Sequence, residues 1–236
     1  MEYPVLDKRL GTAAGWVRAG SVLADVGTDH GYLAANLVGR GVCPAAYACD
    51  VGTLPLLRAR DTVVRCGLSD KIRLVLSDGL TGLEPHCAQD IVIAGMGGEL
   101  IARILTGVQW ICDKGVRLIL QPMTRAEHLR RHLFTNGFDI EGERGVCEGT
   151  HCYTVICAYY TGTRNANPDE LAVSLGGLCE GADEDSQEYI RRLIMVNYRR
   201  AQGLARSASP QKQALAQQAL AFVRRLEQVS GIVLDE

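Results

Sequence analysis

A chain of 236 residues holds one large domain, or a catalytic domain with a small appendage. Its 47% hydrophobic and 22% charged residues exclude disorder throughout, and its formal net charge of -2 excludes a polycation that grips nucleic acid by bulk charge. Any nucleic-acid site must therefore be a local basic patch. The nine cysteines are odd in number and scattered, with no CxxC pair and no secretory signal ahead of them, which predicts free thiols in the cytoplasm. No stretch is apolar for long enough to predict a membrane helix.

In chain order, Val5, Leu6, Leu10, Ala13, Ala14 and Val17 recur at helical spacing and predict an amphipathic helix over 5–18. Val22 to Val26 reads as a strand closed by Gly27, with a helix from His30 to Val38. The same grammar repeats: strand Ala45 to Cys49 with helix Leu54 to Cys66, strand Ile72 to Leu76, strand Ile91 to Ala94 with helix Leu100 to Leu105, and strand Arg117 to Leu120 with helix Arg125 to Phe134. Strands alternating with helices and apolar almost throughout predict an α/β fold, with a parallel sheet covered on both faces. Phe138 to Cys147 and Tyr153 to Tyr160 then follow without a helix between them, which predicts a terminal antiparallel hairpin. Residues 161–170 are turn formers and read as a linker. Beyond Asp185, Ile190, Ile194, Asn197, Ala201 and Leu204, then Leu215, Ala219, Phe222, Leu226 and Val229, predict a helical hairpin with a coiled-coil-like seam. The expected division is 1–162 as catalytic domain and 163–236 as linker and helical hairpin.

In an open parallel sheet, ligands bind beyond the carboxyl ends of the strands. At the first of these tips, Asp25-Val26-Gly27-Thr28-Asp29-His30-Gly31 has glycines that let a ligand approach the backbone, although a tight strand-to-helix turn would carry the same residues. Asp50, with Val51 after it, ends the second strand where a carboxylate would accept the two hydroxyls of a ribose. Asp78 at the third tip suits an adenine amino group and Gly79 leaves room for a ring, unless the pair is an ordinary turn. Ala94-Gly95-Met96-Gly97 runs from the fourth strand into a helix start, exposing backbone N–H groups. No GxxxxGK[ST] occurs, which excludes a P-loop. Cys147, Cys152 and Cys157, five apart on alternating strand faces, argue against a shared metal site, and no metal is expected.

The runs Asp25 to Tyr32, Ile93-Ala-Gly-Met-Gly-Gly98 and Leu118-Ile-Leu-Gln-Pro122, in this order, resemble the bacterial tRNA (adenine-22-N1)-methyltransferase family, TrmK, across nearly the whole chain. The resemblance implies a Rossmann-like class I methyltransferase domain with a C-terminal coiled-coil hairpin, S-adenosylmethionine as cofactor, and methylation of adenine N1 in the D-loop region of tRNA. It implies that Asp25, Gly27, Gly31, Asp50, Val51, Asp78, Gly79, Ala94, Gly95, Met96 and Gly97 bind the cofactor. The chain departs from the family pattern at Asp50, where most members carry Glu, and at Met123, where most carry Asn.

Adenine N1 already bears a lone pair, so attack on a sulfonium methyl needs alignment more than a strong base. Asp29 is the first candidate to accept from the adenine amino group, with His30 second; each could instead be helix capping or packing. Lys8, Arg9, Tyr32, Gln121 and Pro122 are the expected substrate contacts, Tyr32 by stacking on an exposed base. Arg18 in the first helix and Arg191, Arg192, Arg199, Arg200, Arg224 and Arg225 in the tail are further phosphate candidates. The expected partner is tRNA, with no membrane and a monomeric chain. The rival readings are a methyltransferase of the same fold acting on another RNA or a small molecule, and a non-catalytic module that binds nucleotide or RNA. The Pro-Pro-aromatic motif of many amino-group methylases is absent, which weighs against exocyclic-amine chemistry.

Overall fold

Seven strands form one sheet in the order β3-β2-β1-β4-β5-β7-β6. They are β1 (Leu23–Val26), β2 (Ala46–Asp50), β3 (Ile72–Leu76), β4 (Asp90–Gly97), β5 (Arg117–Thr124), β6 (Phe138–Glu148) and β7 (His151–Tyr160), seen in a computed structural model that describes residues 2–179 and 183–234. The first five strands pair in parallel, and β7 runs antiparallel between β5 and β6. The parallel body and the terminal hairpin follow the sequence pattern, for the reason given there: apolar strands separated by helices need both faces covered.

The two faces can be read along single strands. Ile91 and Ile93 of β4 with Leu118 and Leu120 of β5 pack under helices α4 (Gly98–Thr106) and α5 (Ala126–Thr135). Val92 and Ile119, between them, point the other way, toward α1 (Lys8–Ala14), α2 (Tyr32–Gly39) and α3 (Thr53–Arg65). Each such fully buried side chain contributes about 1.5–3 kcal/mol through area removed from water. Residue 91 and residue 92 could not exchange roles without turning the strand over.

Several boundaries differ from expectation. The first helix covers seven residues, capped by Asp7, whose side chain accepts the Leu10 N–H at 2.7 Å. Val5 is 82% exposed and lies ahead of it, so the apolar spacing overran the helix. A six-residue helix, α6 (Glu170–Leu175), begins at the end of the expected linker, capped by Asp169. Both β4 and β5 extend past their apolar runs into the glycine and Gln-Pro segments, with a bulge at Gly95 where the pairing skips from Ala94 to Met96.

Helices α7 (Glu184–Ala205) and α8 (Pro210–Ser230) form the C-terminal hairpin, broken at Ser207 to Pro210 as expected. Ile190, Ile194 and Ala201 of α7 are buried as the spacing required, but α8 buries Ala216, Val223 and Leu226, leaving Leu215 at 45% and Val229 at 55% exposure. The seam on α8 therefore keeps Leu226 of the expected stripe but is rotated toward Ala216 and Val223. Residues 180–182 and 235–236 of the expected tail lie outside the described residues. The tail has its own apolar cluster around Leu178, Ile194 and Leu226.

A buried ion pair ties this tail to the sheet. Arg130 of α5 bonds Glu143 of β6 at 2.6 Å and donates to the carbonyls of Val173 and Ser174 in α6, at 3.1 and 2.9 Å. Glu143 also accepts from the Thr154 hydroxyl and from the Gly177 N–H at 3.2 Å. Burial works against the guanidinium charge, and Glu143 and Tyr189 more than offset it, raising the Arg130 pKa.

The free-thiol expectation fails at two positions. Cys147 and Cys152 face each other across the hairpin and are joined as a disulfide. Alternation of faces along one strand does not separate residues on two strands joined by a turn. Cys157 is a free thiol, buried apart from that pair. No described helix is long and apolar enough to cross a membrane.

Candidate active site

The tips of β2, β1 and β4 lie side by side because β1 pairs with both β2 and β4. Beyond them, a cavity of about 360 Å³ is lined by Asp7, Arg9 and Leu10 at the start of α1 and by Asp25, Gly27 to His30, Tyr32, Ala94 and Gly95 at the strand tips. Larger hollows, of about 700 and 930 Å³, flank the helical hairpin and contain none of the expected cofactor residues.

At the β1 tip Asp25 is buried and accepts the Thr28 hydroxyl at 2.6 Å. Burial raises its carboxyl pKa from 3.8 to about 6, opposed by that hydrogen bond and the backbone donor at Ala34. Asp25 therefore organises the turn from within. Gly27 has φ +78°, and a Cβ there would lie 2.2 Å from the methyl of Met96, so the glycine lets the β1 and β4 tips close on each other.

Asp50 stands at the β2 tip with its Oδ1 accepting the Gly52 N–H at 2.8 Å and its Oδ2 3.4 Å from the Asp29 N–H. The Gly52 bond orients the carboxylate, and the long second contact leaves Oδ2 with acceptor capacity for hydroxyl groups. Val51 beside it is 72% exposed, an apolar surface at the rim. At the β3 tip, Ser77 is buried and fixes the turn by donating to the Gly79 carbonyl at 2.9 Å and accepting the Gly82 N–H at 2.8 Å, while Asp78 stays exposed.

Two glycines have a different use from the one expected. A Cβ at Gly31 would meet Ala59 of α3 at 3.1 Å, and one at Gly79 would meet Ile104 of α4 at 2.8 Å. Both are buried and permit helix packing, so neither opens space for a ligand. Gly95 is exposed, with φ +79°, and Gly97 lies against Thr124.

Asp29 also has a positive φ, +45°, and does not cap α2, whose N-cap is Gly31. Its carboxylate lies 3.3 Å from Arg58 of α3 and 3.5 Å from His30 Nε2. The His30 ring stacks on Tyr32, with centroids 5.1 Å apart. Asp29, His30 and Tyr32 thus meet at the mouth of the cavity, where a flat ring could be met by both an acceptor and a stacking face.

The remaining substrate candidates divide. Lys8 is held by Asp185 at 2.5 Å, which raises its pKa, and it also reaches the Cys147 carbonyl. Its charge is thus already paired with the tail. Gln121 and Pro122 are buried behind the β4 bulge and present no side chain to a base in this conformation. Arg18 is paired with Asp90 and bonds the Gln89 and Gly115 carbonyls, at the amino end of the sheet and away from the cavity. Arg191 and Arg192 pair with Glu188, and Arg225 with Asp169. Arg199, Arg200 and Arg224 carry no ion pair among the described residues.

Sequence reasoning missed Thr28, Arg58 and Glu148. Thr28 lay within the first-tip motif, where its hydroxyl is a side-chain donor three residues from the Asp25 carboxylate. Arg58 and Glu148 meet the site only through packing. No described group of three or more His, Cys, Asp or Glu could hold a metal ion.

Comparison with known proteins places this geometry among methyltransferases. A family described as a methyltransferase domain matches residues 6–156. The tRNA (adenine(22)-N(1))-methyltransferase of Bacillus subtilis (strain 168) is 37% identical over 173 residues, which span 73% of this chain and 72% of that protein. The crystal structure of the B. subtilis m1A22 tRNA methyltransferase TrmK superposes with a TM-score of 0.83 at 27% identity, covering 96% of this chain and 99% of that one. M. capricolum TrmK, solved in complex with S-adenosyl-homocysteine, superposes with a TM-score of 0.81 at 26% identity, covering 96% and 99%.

Proposed function

This chain belongs to the tRNA (adenine(22)-N(1))-methyltransferase family, and from that premise we propose that it methylates N1 of adenine 22 in tRNA with S-adenosylmethionine as donor. The observation that carries the reading is the alignment of the Asp25 and Gly95 tips around one cavity with Asp29, His30 and Tyr32, and of Asp50 at the adjoining β2 tip, 3.4 Å from the Asp29 N–H. The residues present fit the cofactor. Asp50 has acceptor capacity for ribose hydroxyls, Val51 and Asp78 offer an apolar face and a carboxylate for the adenine end, and Gly27, Ala94, Gly95, Met96 and Gly97 line the side toward the methyl donor. When bound, S-adenosylmethionine supplies an electrophilic methyl group.

The chain's own residues then have to hold and orient the base. Tyr32, stacked on His30, offers a ring face for the target adenine, and the Asp29 carboxylate, steadied by Arg58, accepts from its amino group. That contact draws electron density toward N1 and favours the positive charge that methylation leaves on the ring. Alignment makes the larger contribution, because no proton has to leave N1 before attack.

Residues 1–162 make up the catalytic domain in this reading, and 163–236 the linker and helical hairpin. Phosphate contact falls to Arg199, Arg200 and Arg224, which carry no ion pair among the described residues. A monomer fits a hairpin whose two helices pack within one chain, and a cytoplasmic location fits an enzyme that acts on tRNA.

Transfer of labelled methyl from S-adenosylmethionine to unmodified bacterial tRNA, followed by digestion and mass analysis, tests the reading. We expect 1-methyladenosine at position 22, and a loss of cofactor affinity of about a hundredfold in Asp50→Ala, as two hydrogen bonds to a charged acceptor imply. Cofactor binding without methylation of tRNA would overturn the substrate assignment.

A further inference from the structure

We propose that Gln121 is a positioning residue: its carboxamide oxygen, shared by the Gly95 N–H and the Arg9 guanidinium, couples helix α1 to the β4 bulge and so fixes the corner of the cavity that both of them line. The proposal rests on the methyltransferase reading for its kinetic consequence and on geometry alone for the coupling.

Gln121 follows the apolar run Leu118-Ile119-Leu120 on β5 and is itself fully buried, at 0% exposure. A buried carboxamide is costly unless its donors and acceptor are satisfied. Here Oε1 accepts the Gly95 N–H at 2.9 Å and Arg9 Nη1 at 2.9 Å, while Nε2 donates to the Pro122 carbonyl at 3.1 Å. An amide oxygen has two lone pairs, and both are used. Gly95 is the residue that the bulge lifts out of the β4–β5 ladder, so Gln121 replaces the strand partner that its N–H lacks.

Arg9 is held on three sides. Its guanidinium also reaches Asp7 at 3.2 Å, and its backbone N–H donates to Glu148 of β6 at 2.9 Å. A Cβ on Gly95 would lie 3.4 Å from Arg9 Nη1, so the guanidinium caps the bulge directly. Arg9 and Gly95 both line the cavity and meet at one of its corners, where a single oxygen atom holds them together. A guanidinium turned inward in this way acts on the reaction through α1 rather than as a phosphate anchor.

Gln121→Met keeps the volume and removes the acceptor. We expect kcat for methyl transfer to tRNA to fall about ten- to a hundredfold, the scale of a misplaced near-attack geometry, with the KM for tRNA changed less than about threefold. Arg9→Met should match that loss, the double variant should be no slower than the worse single one, and Gln121→Glu, which keeps an acceptor for both donors, should recover most of the rate. Losses that multiply in the double variant would overturn the proposal. So would an Arg9→Met defect confined to the KM for tRNA with a flattened salt dependence, since Arg9 would then be reading phosphate itself.

Amide hydrogen exchange on the full chain without tRNA or cofactor separates this inference from the substrate reading. In Gln121→Met, exchange should accelerate together in residues 94–97 and in α1. Acceleration in one segment alone, or in neither, sinks the coupling. Should the wild type leave tRNA unmethylated, the exchange result alone decides the coupling.

Discussion

The rim of strand tips and the helical tail are built by opposite means. At the rim, the turns are fixed by short-range devices: Asp25 bonds Thr28, Asp50 bonds Gly52, and Ser77 bonds Gly79 and Gly82, all within five residues. The tail is held by long-range contacts instead. Arg130 reaches α6 across more than forty residues, and Ser186 accepts the Gly145 N–H of β6 at 2.8 Å. Local devices survive changes elsewhere in the chain, whereas a docked tail depends on each partner being present.

The largest effect should come from breaking that docking. Arg130→Met leaves Glu143 buried without its main partner and should destabilise the protein by about 3–5 kcal/mol, measured by urea unfolding. Cofactor affinity in the folded fraction should stay unchanged if rim and tail are independent. A parallel loss of affinity would show that the tail supports the rim.

Next comes the rotation of α8. Val223 lies off the expected stripe and is buried, so Val223→Ala should remove about 2–4 kcal/mol. Leu215→Ala, on the stripe that the spacing favoured, should stay within about 0.5 kcal/mol. Equal effects would restore the expected seam.

The rim yields the smallest change, and one that depends on pH. Folding raises the Asp25 pKa from 3.8 to about 6, so the folded chain binds the extra proton between these values and loses stability as pH rises through that window. The total is about 3 kcal/mol, at about 1.36 kcal/mol per pH unit. Asp25→Asn should therefore match wild type near pH 4 and exceed it by up to about 3 kcal/mol above pH 6, read from urea midpoints across pH 4–8. A gap that does not vary with pH would mean that Asp25 titrates normally in the fold.

Much of this was legible in the chain. The strand-helix alternation, the terminal hairpin and the tip residues Asp25, Asp50 and Asp78 follow from period, glycine placement and the rule that open sheets bind ligands at their carboxyl ends. The short first helix was not, because apolar spacing marks a face and says little about where a helix stops. Gly31 and Gly79 were misread for a related reason: a glycine reports that a side chain is forbidden, and only its neighbours, Ala59 and Ile104, reveal what forbids it.

The sequence by itself determined the order of elements, the sheet's two-sided burial and which carboxylates stand at the strand tips, since each of these depends on residues close in the chain. Tertiary structure alone decided that Lys8 is spent on Asp185, that Cys147 meets Cys152, that Arg58 steadies Asp29 and that Gln121 joins Arg9 to Gly95. Most of these pairs join residues far apart in sequence, and even Cys147 and Cys152, only five apart, meet through the register of the hairpin. No local periodicity encodes such meetings; they exist only once the sheet register and helix packing have brought their backbones together.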